Sequence, residues 1–193
     1  MWTLNHISRQ ELQLRTDITA AYEQRIADHL AEGYIAFYGN VMFNHISGGQ
    51  DRKKSIMTYE VNRLHSLVTR HIVRERNASL CQPWRPILYG CHDGKVMKTG
   101  GGRSRLILPN GGFHFNFLML LRIPGTAPIN SQVKKLAKTC DLPGHFDQYQ
   151  HHYRSDVVSR VFVTPMNQGN MTNYMLKTFG NGNADWDDIT ILK

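Results

Sequence analysis

Three observations predict an α+β fold, an antiparallel sheet flanked by helices. Apolar residues recur at helical spacing in two long stretches of the first half of the chain. Aromatic and β-branched segments, bounded by glycine and proline, lie between and after them. One of these segments, Gly112-Phe-His-Phe-Asn-Phe-Leu-Met-Leu-Leu-Arg122, has the composition of a buried strand yet carries His114 and Asn116 near its start. Helices and strands in this mixed order favour segregated helices on an antiparallel sheet.

The first helix is predicted over 9–32. Ser8-Arg-Gln-Glu11 forms a capping box, Leu14, Ile18, Tyr22, Ile26 and Leu30 step by four, and Gly33 stops the helix. Tyr34 to Ile46 is rich in strand formers and ends at Gly48-Gly49. A second helix is predicted over 51–77, where Met57, Val61, Leu64, Val68 and Ile72 step by four, three, four and four. Residues 84–123 have the pattern of a meander. It comprises a strand from Trp84 to His92, a Gly- and Lys-rich turn over 95–102, a short strand over 104–108, a turn at Asn110-Gly-Gly112 and a strand over 113–123. Pro124, Gly125 and Pro128 end it. A helix over 132–140 should turn Val133, Leu136 and Cys140 inward, and 141–156 reads as loop. Val157 to Thr164 reads as a strand, and a short helix from Asn170 or Met171 to Phe179 closes at Gly180. Residues 181–193 read as a polar tail with Trp186 and Ile189 to Leu192 as its apolar positions.

At 193 residues the chain fits one domain with a sizeable core, expected to span 1–193. No run of eighteen apolar residues and no leader-like N-terminus stands out, so the expected location is cytoplasmic with no membrane partner. Cys81, Cys91 and Cys140 lack a CxxC spacing, which fits reduced thiols rather than a disulfide framework. The net charge of +8 and a pI near 9.6 favour a polyanionic partner, nucleic acid foremost. Cations cluster at Arg52-Lys53-Lys54, between Arg70 and Arg76, at Lys134-Lys135, and in the loop carrying Lys95, Lys98, Arg103 and Arg105, which is expected to track a nucleic-acid backbone.

The chemistry-bearing residues gather at two places. Side chains alternate along a strand, so His114, Asn116 and Leu118 share one face while Phe113, Phe115 and Phe117 take the other. A rigid strand end can aim an imidazole and an amide oxygen at one divalent ion and leave positions open for a phosphate. A third ligand should come from the neighbouring strand, where His92 and Asp93 both stand; Cys91 is a further option but a poor ligand for a hard ion. Further on, Tyr174-Met-Leu-Lys177 places a candidate nucleophile and a cation one helical turn apart. A phenol with an ordinary pKa near 10 attacks phosphorus only when deprotonation is assisted, which an ammonium and a metal-bound phosphate both favour. Tyr149 and Tyr153, beside His151 and His152, are rival nucleophiles.

These residues, in this order, resemble the HUH family of single-strand endonucleases: rolling-circle replication initiators, relaxases and related transposases. The resemblance runs over about 34–180. Tyr38 to Asn44 stands where the family has its first aromatic-rich strand, His114-Phe115-Asn116 where it has its His-apolar-His metal motif, and Tyr174 in Tyr-x-x-Lys where it has its nucleophile. Asparagine replaces the second histidine, and the family's acidic ligand has His92 or Asp93 as its nearest counterpart. The resemblance implies a ferredoxin- or RRM-like HUH endonuclease fold that uses Mg²⁺ or Mn²⁺. It implies attack of Tyr174 on single-stranded or origin hairpin DNA, with Lys177 assisting and a host helicase as a further partner. The alternative is a catalytically lapsed fold of this type that only binds DNA or RNA.

Overall fold

The computed structural model describes residues 8–72, 82, 84–93, 113–122, 142–148, 150–166, 179, 184 and 186–193. It is an α+β structure built on a five-stranded antiparallel sheet. The elements run α1 (Arg9–Ala31), β1 (Tyr34–Phe43), α2 (Gln50–Ile72), β2 (Ile87–Asp93), β3 (His114–Arg122), α3 (Leu142–Gln148), α4 (Gln150–Tyr153), β4 (Val158–Pro165) and β5 (Ile189–Leu192), with a 3₁₀ turn at Trp186–Asp188 before β5. The sheet order is β4-β1-β3-β2-β5, and every neighbouring pair is antiparallel. β1 and β2 are therefore parallel to one another with β3 inserted between them, and β3 and β4 likewise flank β1.

Helix α1 opens as its sequence predicts. The Ser8 hydroxyl accepts from the Glu11 backbone N–H, and Gly33, at φ +89°, closes the helix with its N–H on the Leu30 carbonyl. The predicted stripe needs one correction. A step of four residues drifts by about 40° around a helix of 3.6 residues per turn. By that drift Leu14 has left the face that Ile26 occupies, and it is exposed. Arg15 lies within about 20° of Ile26 and is buried in Leu14's place. Its guanidinium donates to the Phe179 and Ala184 carbonyls at 3.0 and 2.7 Å and to the Glu11 carboxylate at 2.9 Å.

The two faces of the sheet carry two cores. Toward α2, α3 and α4 point Phe37, Val41, Leu88, Phe115, Phe117, Met119 and Val163, packed on Met57, Val61, Leu64 and Val68 of α2. The Phe117 ring lies on Gly39 so closely that a Cβ there would enter the ring, and Phe115 lies on Gly90 in the same way. Toward α1 point Tyr34, Ile87, Tyr89, Cys91, Leu118 and Leu120, met by Ile26 and Phe179.

Two segments differ from their predictions. Residues 141–156 are expected as loop, yet 142–148 and 150–153 are helical. Leu142, Phe146 and Tyr153 are fully or almost fully buried in the larger core, so tertiary burial rather than a long periodic pattern holds these short helices. The tail is expected to be polar, yet Ile189–Leu192 adds an edge strand to β2. A salt bridge from Lys54 of α2 to Asp188, at 2.6 Å, fixes the turn before it. The strand over 104–108, the helix over 132–140 and the helix over 170–179, Phe179 apart, lie outside the described residues. No helix among the described residues is long and apolar enough to cross a membrane.

Candidate functional site

The β2–β3 register sets Asp93 directly opposite His114 and Cys91 opposite Asn116; the β1–β3 register sets Asn40 opposite Asn116. Directly paired residues point to the same side of a sheet. Tyr38, Asn40, Asp93, His114 and Asn116 therefore share the α1-side face, beyond the apolar residues of the α1-side core.

Asn116, only 1 % exposed, is the hub. Its amide nitrogen donates to Asp93 Oδ2 at 2.9 Å. Its amide oxygen accepts from the Tyr38 hydroxyl at 2.8 Å and from the Asn40 amide at 2.7 Å. An ionised carboxylate can only accept, which fixes the orientation of the Asn116 amide. His114 Nε2 stands 3.2 Å from the same Asp93 oxygen, and its side chain is one-quarter exposed. A chain of polar contacts thus runs from a buried amide, through a nearly buried carboxylate, to an imidazole at the rim.

The sequence leaves His92 and Asp93 open as the third ligand, and the fold separates them. Asp93 joins His114 and Asn116, whereas His92 points through the opposite face. There it bonds the Thr58 hydroxyl at 2.9 Å and meets the Phe115 ring edge-on at 5.0 Å. Burial, reinforced by the Lys54 cation and opposed by Asp188, pushes its pKa down to about 4. His92 is a neutral core histidine away from the rim. Cys91 shares the Asn116 face but is buried, and burial pushes its thiol up to about 12, so it is a neutral thiol there.

Tyr153 is also committed elsewhere. It is 1 % exposed, on the far side of the sheet, with its hydroxyl 2.8 Å from His145 Nε2 and its ring 4.4 Å from Phe146. His151 and His152 are exposed on α4. Tyr149, Tyr174, Lys177, Lys95, Lys98, Arg103 and Arg105 lie outside the described residues.

The donor set fits a divalent ion in part. Asp93 and His114 offer a carboxylate oxygen and an imidazole nitrogen side by side at the rim, which suits a hard ion retaining several waters. Asn116 does not add a third donor, because both lone pairs of its oxygen are occupied and turning the amide would set oxygen against the Asp93 carboxylate. No cluster of three or more His, Cys, Asp or Glu side chains is placed to hold an ion among the described residues. Sequence reasoning missed Tyr38 and Asn40. The signal was the alternation of β1, which puts these two polar groups on one face and Phe37 and Val41 on the other.

Comparison with models of protein families, with curated proteins and with solved structures finds no match to this chain.

Proposed function

We propose that this protein nicks and rejoins single-stranded DNA in the manner of HUH endonucleases, as the replication initiator of a plasmid, phage or mobile element. The observation that carries the reading is the Asp93–His114 pair, held across β2 and β3 at 3.2 Å with the imidazole one-quarter exposed. The strand order, with β3 inserted between β1 and β2 and β1 between β3 and β4, supports a ferredoxin-like arrangement. The net charge of +8 supports a polyanionic substrate.

In this reading Asp93 and His114 hold Mg²⁺ or Mn²⁺, and Asn116 orients the Asp93 carboxylate. The ion, when bound, would offset the charge that builds on the phosphate. The phenol oxygen of Tyr174 attacks the phosphorus, the bond to the 3′-oxygen breaks, and the DNA 5′-phosphate becomes a phosphotyrosine. The phenol proton leaves, and the departing 3′-oxygen takes one up. Lys177 places its cation beside the phenol or the phosphate, and Lys95, Lys98, Arg103 and Arg105 track the backbone. A host helicase would open the duplex further.

One observation favours a second reading, a fold of this type that binds DNA or RNA without cutting it. The Asn116 oxygen is saturated, which leaves the ligand set one donor short. A covalent-adduct assay separates the two. The protein is mixed with labelled single-stranded DNA of its own replicon and Mn²⁺ and run on a denaturing gel. The nicking reading expects a shifted band that vanishes in Tyr174→Phe and falls about a hundredfold or more in His114→Ala. A band persisting in Tyr174→Phe moves the nucleophile to Tyr149, since Tyr153 is buried. No band, with DNA still retained on a native gel, establishes the binding-only reading.

A further inference from the structure

The α1-side face is covered over only part of its area. Its apolar cluster takes in Tyr34 and Ala36 of β1, Leu118 and Leu120 of β3, and Ile87, Tyr89 and Cys91 of β2. Beyond it the register continues with Asn40 opposite Phe162 and Met42 opposite Arg160. Phe162 is 47 % exposed and Met42 43 %, and neither belongs to a core cluster. Arg160 is exposed beside them. Strands lie about 4.8 Å apart, so Phe162 stands two strand spacings, roughly 10 Å, from Asn116. A cavity of about 390 Å³ wraps the β4 edge, where Arg154, Gln150 and Tyr153 from the α2 side of the sheet line it together with Arg160 and Phe162, and Asp147 is the one acid among the described residues that line it.

We propose that Phe162, Met42 and Arg160 form a platform for single-stranded DNA that leads across β1 to the Asp93–His114 rim. This rests on the reading above and adds where the strand lies. An exposed phenylalanine on an open sheet face offers a flat apolar surface for a base, whatever the sequence of the strand. Arg160 supplies a cation for a phosphate beside the ring, and Tyr38 and Asn40 present polar edges between the platform and the rim. The excess of cations over acids along this edge matches a polyanion and opposes a basic peptide, while the exposed Phe162 ring favours the unstacked bases of a single strand over a duplex.

The test is fluorescence anisotropy with a labelled oligothymidylate of about a dozen nucleotides, in EDTA, so that binding is read without metal or cutting. Phe162→Ala should raise Kd by roughly five- to a hundredfold. Arg160→Ala should reduce the slope of log K against log salt by about 0.7. Tyr59→Ala, which removes an exposed aromatic from α2 across the sheet, should leave Kd unchanged. The proposal is overturned if Phe162→Ala binds within about twofold of the parent, if Tyr59→Ala weakens binding as much, or if duplex is preferred to single strand. The same variants enter the adduct assay at saturating DNA. Adduct formation by a Phe162→Ala protein of unaltered affinity sinks the platform and keeps the nicking reading. Weakened binding by Phe162→Ala, with no adduct from the parent, keeps the platform and sinks nicking.

Discussion

The two faces of the sheet are made from the same strands and do opposite things. On the α2 side, Phe115, Phe117, Met119 and Leu121 of β3 are enclosed by helices and carry no polar group. On the α1 side the same strand begins with His114 and Asn116, bound into a polar network, and turns apolar only at Leu118 and Leu120. A buried polar group is tolerated only when its partners are supplied, and here they come from the two neighbouring strands, Tyr38 and Asn40 from β1 and Asp93 from β2. One face fixes the sheet. The other, thus held, can keep a carboxylate and an imidazole in place at its rim.

The largest expected effect contrasts two phenylalanines on opposite faces. Phe117→Ala opens a cavity above Gly39 and should cost about 3–5 kcal/mol, read from urea unfolding midpoints. Phe162→Ala removes an exposed ring and should cost less than about 0.5 kcal/mol. Equal losses would show that the α1-side face is packed as tightly as the other. Acid offers the next largest contrast. His92 is neutral in the fold with a pKa near 4, against an ordinary value of 6.5. The unfolded chain therefore binds more protons between those values, and stability falls as pH drops through that window, by on the order of 3 kcal/mol in total. A His92→Gln protein should lose that part of the acid sensitivity in urea titrations at pH 7.5 and 4.5; an unchanged slope would place the acid response elsewhere. Smaller again is Asn116→Leu, which leaves Asp93 without one donor and Tyr38 and Asn40 without their acceptor. A loss of about 1–3 kcal/mol is expected in thermal melts. A neutral outcome would mean that water replaces the amide and that the network is looser than its distances indicate.

How far the sequence was legible follows from which signals are local. The alternation of β3 put His114 and Asn116 on one face, and the spacing of Met57, Val61, Leu64, Val68 and Ile72 marked the buried side of α2. Asp93 could not be told from His92, because that choice rests on the register between β2 and β3, and a slip of one residue exchanges the faces. The helices over 142–153 and the strand Ile189–Leu192 escaped notice for a related reason. Each is short, and each is held by contacts far away along the chain: Phe146 and Tyr153 by the main core, and β5 by β2. Leu14 misled because a four-residue step was followed for too many turns.

Arg15 also bears on the order in which the molecule can be assembled. Its guanidinium is bound to carbonyls 164 and 169 residues further along. During synthesis α1 leaves the ribosome well before the groups that anchor Arg15. The full docking of α1, with Arg15 bonded, therefore waits until residues 179 and 184 have emerged. Its seating on the sheet is a late, long-range closure, a step of the kind that slows folding and exposes apolar surface in the interval.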